Sequence, residues 1–167
     1  MANVVYLISS LPSLTFGQSP PVTLESFHSE AKAQLSSKNY EKLHQLDLKD
    51  ISKTDPGQLK HFVEANGQLH ADAMEIRNAG NNERSAAIST LPRQVLEQNP
   101  LEREKSMMKW QWEQLTQIDS GETFTFTEVL VYKLKLQILH RLDSFSKPKG
   151  LEILESVVAP AKNREEK

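Results

Sequence analysis

The segment from Val129 to Leu142 constrains this chain more than any other. Val129, Leu130, Val131, Tyr132, Leu134, Leu136, Ile138, Leu139 and Leu142 carry apolar bodies. Set at 100° per residue, they cover most of a helix's circumference and leave Lys133, Gln137, His140 and Arg141 as a narrow wet strip. Such a helix must be central in a bundle or covered by a partner. Its start is marked twice, by the capping box Thr125–Glu128 and by Phe124 and Val129 as a hydrophobic staple.

A second well-signposted helix precedes it. Asn99 suits the N-cap, Pro100 the first helical position, and Glu102 the capping-box carboxylate that reaches back. Glu102 and Glu104 also place negative charge at the positive end of the helix dipole. Leu101, Met107, Met108, Trp112, Leu115 and Ile118 share one broad face, with Trp110 well off it. The helix is expected to stop near Asp119–Gly121, where glycine can take the left-handed conformation of a cap. The joint between the two helices is therefore short.

The remaining chain reads as further helices with short connections. Residues 4–11 form a short strand or the first turns of a buried helix; so few residues carry no decisive period. Pro12 and Phe16–Pro21 break the chain. Thr23 then caps a helix whose inner face is Leu24, Phe27, Ala31 and Leu35, with Val22 and Phe27 as its staple. Residues 36–39 read as a turn, followed by a helix over Tyr40–Leu46. Asp55–Pro56 opens a helix bearing Leu59, Phe62, Val63, Leu69, Ala73 and Ile76, with a soft spot at Asn66–Gly67. Residues 78–90, small and polar, are expected as a mobile loop or a shortened region. A short helix over Leu91–Gln98 leads into the central pair, and a last amphipathic helix carries Leu151, Ile153, Leu154, Val157 and Val158. The sum is an all-α, compact bundle of about six or seven helices. It forms one domain over residues 1–160, with a frayed tail at 161–167.

Composition narrows the function classes. At 167 residues the chain can bury a real core, and a net charge of -2 gives no basic field for nucleic acid or anionic lipid. Without cysteine there is no disulfide, thiol catalysis or Cys-ligated zinc, in keeping with a cytoplasmic protein. The apolar run Val4–Ile8 is too short for a signal peptide or a membrane span, so no direct membrane insertion is expected.

Catalytic chemistry has little to stand on. Serines lie outside any Gly-x-Ser-x-Gly elbow, and six glycines form no phosphate-cradling loop. Five histidines are scattered at 28, 44, 61, 70 and 140. His61 and Glu64 share a helix face, but a carboxylate-bridged metal pair needs two Glu-x-x-His pairs and two more glutamates on facing helices, and no Glu-x-x-His pair is expected here. No catalytic residue, metal or cofactor is expected. Candidate interface residues are Trp110, Lys135 and Arg141. Trp110 either anchors a partner or packs under a neighbouring helix. Lys135, inside the apolar arc, either marks a binding surface or snorkels with its stem packed.

Asn99-Pro-Leu-Glu-Arg-Glu104, Lys109-Trp-Gln-Trp-Glu-Gln-Leu115, Gly121-Glu-Thr-Phe-Thr-Phe126 and Tyr132-Lys-Leu-Lys-Leu-Gln-Ile-Leu-His-Arg141 together resemble one bacterial family. The opening Tyr6-Leu-Ile-Ser-Ser-Leu-Pro-Ser-Leu14 resembles it too. This is the uncharacterised family DUF2764, whose members accompany V-type ATPase genes. They are regarded as relatives of the C-type subunit of that ATPase, which is the d-type subunit in eukaryotes. The likeness covers the N-terminal dozen residues and roughly residues 91–142. It implies a helical fold like that of the C-type subunit, for residues 4–11 and the rest. It also implies a non-catalytic subunit that couples the rotor shaft subunits to the membrane ring, held peripherally at the inner membrane by those partners. The alternative is a stand-alone helical adaptor or assembly factor that binds a partner helix through an exposed apolar strip. A stable association with rotor subunits separates the two.

Overall fold

In the computed structural model the described residues are 3–51, 59–119 and 123–145. Their regular structure is all helical, with no strand among them. The order is α1 (Val4–Ser10), α2 (Leu24–Gln34), α3 (Ser37–Gln45), α4 (Lys60–Asn81), a 3-10 helix (Arg93–Glu97), α5 (Pro100–Asp119) and α6 (Phe126–Asp143). The all-α bundle expected from the periodicity is what forms. Residues 4–10, open to two readings as sequence, are helix.

Local chemistry accounts for most of the starts. The side chains of Asn3, Thr23, Ser36 and Thr125 each accept a hydrogen bond from the backbone three residues on. Asn99 Oδ1 does the same for the Glu102 N–H at 2.9 Å. Each satisfies one of the donors that a helix N-terminus leaves over. Ser36 acting as a cap is why α3 begins at Ser37 rather than Tyr40: the expected turn is the first turn of the helix. At α6 the capping box is shifted. Glu128 accepts from Phe124 N at 2.7 Å, one residue before the cap, and Phe124 itself is 48% exposed with φ of 59°. The staple expected from Phe124 and Val129 is therefore not made.

Helix α6 is the hub, packing on α1, α2, α3 and α5, and its pairing with α5 is the most extensive in the fold. Its buried apolar side chains are Val129, Leu130, Val131, Leu134, Leu136, Ile138 and Leu139. At roughly 1.5–3 kcal/mol for each large aliphatic side chain removed from water, this helix organises the fold. Leu7, Phe27, Ala31, Leu43, Leu46, Phe62, Met108 and Leu115 belong to the same core. A smaller cluster, Leu69, Leu91 and Val95, joins α4 to the 3-10 helix.

Several expectations are corrected. Lys133, placed on the wet strip, is only 3% exposed. Neighbouring helices press on α6, so Lys133 and Gln137 of its polar strip face α3 and the loop after it, while Arg141 at the far end stays exposed. Leu101, assigned to the inner face of α5, is 44% exposed because the first turn of α5 runs past the core. The helix expected over Leu91–Gln98 is a 3-10 helix limited to Arg93–Glu97. Asn66–Gly67 does not soften α4, which is continuous there. Asn66 is instead buried and accepts from Gln111 Nε2 at 2.8 Å, bracing α4 to α5.

Residues 78–90 are not a free loop. Residues 78–81 complete α4, and the rest is strapped back onto it. Asp72, buried on α4, accepts from Ser89 N at 3.0 Å, Thr90 N at 2.7 Å and Leu91 N at 2.9 Å. Burial pushes the Asp72 carboxyl up, but these backbone donors and the Ser89 hydroxyl hold it below the usual carboxylate range. Glu75 adds an ion pair with Arg84 and accepts from Ala87 N at 3.3 Å. The Asp55–Pro56 cap, the Gly121 stop, the helix at 151–158 and the tail at 161–167 lie outside the described residues.

Candidate functional site

The polar side of α6 gathers the side chains that the core does not absorb. Lys133 Nζ donates to the carbonyl of Leu43 at 2.7 Å and to that of His44 at 3.3 Å. These carbonyls belong to the last turn of α3, where the helix has acceptors to spare and its dipole favours a cation. Burial pulls the Lys133 ammonium down to about 8, and the charge of Asp47 works against that fall. One turn on, Gln137 Oε1 accepts from Leu48 N at 3.0 Å. His140 Nε2 lies 3.0 Å from the Val22 carbonyl. The strip is thus a row of tethers holding the chain around α2 and α3 onto α6.

Beside this row lies an open groove of about 630 Å³. Leu24, Leu48, Met107 and Met108 supply its apolar lining, and its polar part includes Asp47, Lys49, His70, Gln111, Gln137 and His140. Arg141 and Glu104 also line it and are joined: Nη2 of Arg141 is 2.8 Å and its Nε 2.9 Å from Glu104 Oε1. The Arg141 guanidinium also stands 4.8 Å from the Phe145 ring centroid. Apolar and polar side chains thus meet in one open groove, with a charged pair at its edge.

The three residues singled out from sequence lie in separate neighbourhoods. Arg141 is at the groove. Lys135 lies on the α1 side with Ile8, Leu14 and Tyr132, its Nζ 5.1 Å from the Trp112 ring centroid. Trp110 is partly buried against the Leu69–Leu91–Val95 cluster. The structure therefore brings no two of them together, and packing within the chain is what Trp110 does here. The apolar arc of α6 is likewise covered by the chain's own helices.

One grouping emerges only from the packing. Against the expectation that the chain has no Glu-x-x-His pair, Glu25 and His28 are spaced so, and Glu41 and His44 are too. The two imidazoles meet edge to face, with ring centroids 5.6 Å apart. Tyr40 stacks on His44 at 5.9 Å and stands 6.2 Å from His28. Even so, no group of three or more histidine, aspartate or glutamate side chains placed to hold a metal ion occurs among the described residues. Burial, then the charges of Lys133 and His44, pull the His28 imidazole down to about 4. Its Nδ1 is buried with no hydrogen-bond partner. The repeated spacing on adjacent helices is the signal of this pair that the sequence carries.

Among the described residues, no helix is long and apolar enough to cross a membrane. The family model described as "Protein of unknown function (DUF2764)" matches residues 61–164. The match takes in most of α4, beyond the motifs that carry the resemblance, together with α5 and α6. The motif Tyr6–Leu14 lies ahead of it. Neither a curated protein nor a solved structure matches the chain.

Proposed function

Because the chain belongs to the DUF2764 family, we propose that it is a non-catalytic subunit of a bacterial V-type ATPase or ATP synthase. In this reading it couples the central rotor shaft to the membrane ring and sits at the cytoplasmic side of the inner membrane through those partners. The observation that carries the reading is the family membership, since members of this family accompany V-type ATPase genes and resemble the C-type subunit.

The physical demand on such a part is stiffness between two faces. A coupling subunit transmits torque without storing it in internal bending, which favours helices braced by buried contacts over loops. Several features fit that demand: the long α5–α6 pairing, the Asn66–Gln111 brace and the strap that Asp72 makes. The groove beside Arg141 supplies one candidate face and the surface around Lys135 another.

The test is affinity capture of the tagged chain from native membranes in mild detergent, with the bound proteins identified. Recovery of shaft and ring subunits in fixed ratio is expected. Intact ATPase in the membranes with none on the tag would overturn the reading and leave a stand-alone helical adaptor or assembly factor, for which the groove is the candidate docking face.

A further inference from the structure

The histidine pair between α2 and α3 lines neither of the two faces offered for coupling. His28 lies on α2, and its Nδ1 is enclosed without a partner. From α3, His44 and Tyr40 face it, and α6 brings the Lys133 ammonium close enough to act on it. Tyr132, also on α6, stacks on Phe27 beside it, while His140 reaches Val22 ahead of α2. Asp47, just after α3, acts on the cluster through its charge on Lys133; Glu25 and Lys32 lie one turn to either side of His28 on α2, and Glu41 one turn before His44 on α3. Helix α1 also packs on α2 but carries no charged residue, and its Tyr6 is exposed.

We propose that the His28–His44–Lys133 cluster is an acid-sensitive latch, which releases α3 from α2 and α6 when His28 takes up a proton. A protonated imidazole carries an N–H on both nitrogens. At His28 this would bury a donor with no acceptor, beside an ammonium already present. Both penalties vanish if α3 moves away and water enters. Helix α3 is the element that gives. It has nine residues, and its buried anchors are Leu43 and, at its cap, Leu46, together with the carbonyls that Lys133 holds. Helix α6 is gripped by three other helices and stays.

Hydrogen exchange on the full chain tests the latch, read on peptides spanning 37–46 and 129–139 and corrected for the intrinsic effect of pH. Between about pH 7 and about pH 4, protection in α3 is expected to fall on the order of tenfold or more while α6 keeps its own. His28→Gln, which cannot take the proton, should keep α3 protected at the acid end. Protection of α3 unchanged by acid, joint opening of α3 and α6, or acid opening that persists in His28→Gln would each overturn the proposal. A variant-free check is the NMR titration of His28 in the native chain. It should titrate below about pH 5 together with the α3 amide shifts; titration above about pH 5, or without those shifts, would overturn the latch.

Discussion

The Lys133 ammonium donates to the Leu43 carbonyl across 2.7 Å from a side chain that is only 3% exposed. A charge buried this far inside α6 is tolerated because the end of α3 supplies the acceptors. The same burial gives the protein an alkaline stability limb. Lys133 is pulled from 10.5 to about 8, so between those values the unfolded chain holds more protons than the folded one. Stability therefore rises with pH across that window, by about 1–2 kcal/mol once solvent screening is allowed for. Urea unfolding at about pH 7 and about pH 9 reads the rise; from about pH 10, where the unfolded phenol ionises, Tyr132, pushed up to about 12 in the fold, works the other way. Lys133→Met should flatten the limb and cost about 1–3 kcal/mol near neutrality, since the Leu43 and His44 carbonyls lose the ammonium and Leu43 keeps only the longer bond from Leu46 N.

Asp72 is the anchor of the strap that follows α4. Its carboxylate satisfies three consecutive backbone N–H groups, and an amide in its place would turn a donor toward them. Asp72→Asn is expected to cost about 2–3 kcal/mol. Hydrogen exchange at Ser89–Leu91 should speed up well beyond the change in global stability. The folded carboxyl titrates below the ordinary 3.8, so its contribution is present above that pH and lost as pH falls through the folded value. The wild type should show this acid loss and Asp72→Asn should lack it.

The buried amide pair of Asn66 and Gln111 separates the cost of an orphaned group from the worth of a bond. Asn66→Leu or Gln111→Leu alone should destabilise by about 1–3 kcal/mol, because the remaining amide is left without a partner in the core. The double variant should recover most of that loss, a coupling that a thermodynamic cycle on the four proteins measures.

Arg141 and Glu104 form a clamp at the groove edge that is largely wet, with side chains 53% and 39% exposed. Arg141→Ala should therefore change stability by less than about 1 kcal/mol. If the groove is a docking face, the same substitution reduces partner retention in the affinity capture at least severalfold. Trp110→Ala should do the reverse, destabilising the fold by about 2–4 kcal/mol through the Leu69–Leu91–Val95 cluster.

Much of this fold is legible in the sequence because its helices announce themselves. Asn99, Thr23 and Thr125 cap where short-range hydrogen bonding says they should, and the breadth of the apolar arc at 129–142 marks a central helix. What a local reading misses depends on the third dimension. Lys133 reads as solvated because a helical wheel shows only one helix; the acceptors that bury it lie about 90 residues away in sequence, at Leu43 and His44. Residues 78–90 read as loose because their composition does not show Asp72, on the helix before them, as the strap's anchor. The two Glu-x-x-His spacings are visible in the sequence, but only the packing of α2 on α3 turns them into a pair of touching imidazoles. Arg141 keeps its place at a candidate surface, whereas Trp110 finds its neighbours within the chain.

The central claim is coupling, and the most direct measurement is ion pumping per ATP hydrolysed in membrane vesicles prepared with and without this chain. Removing it is predicted to leave ATP hydrolysis by the catalytic head in place and to abolish the pumping that hydrolysis drives, with both linked again when the chain is restored. Pumping per ATP unchanged in vesicles that lack it would contradict a coupling role.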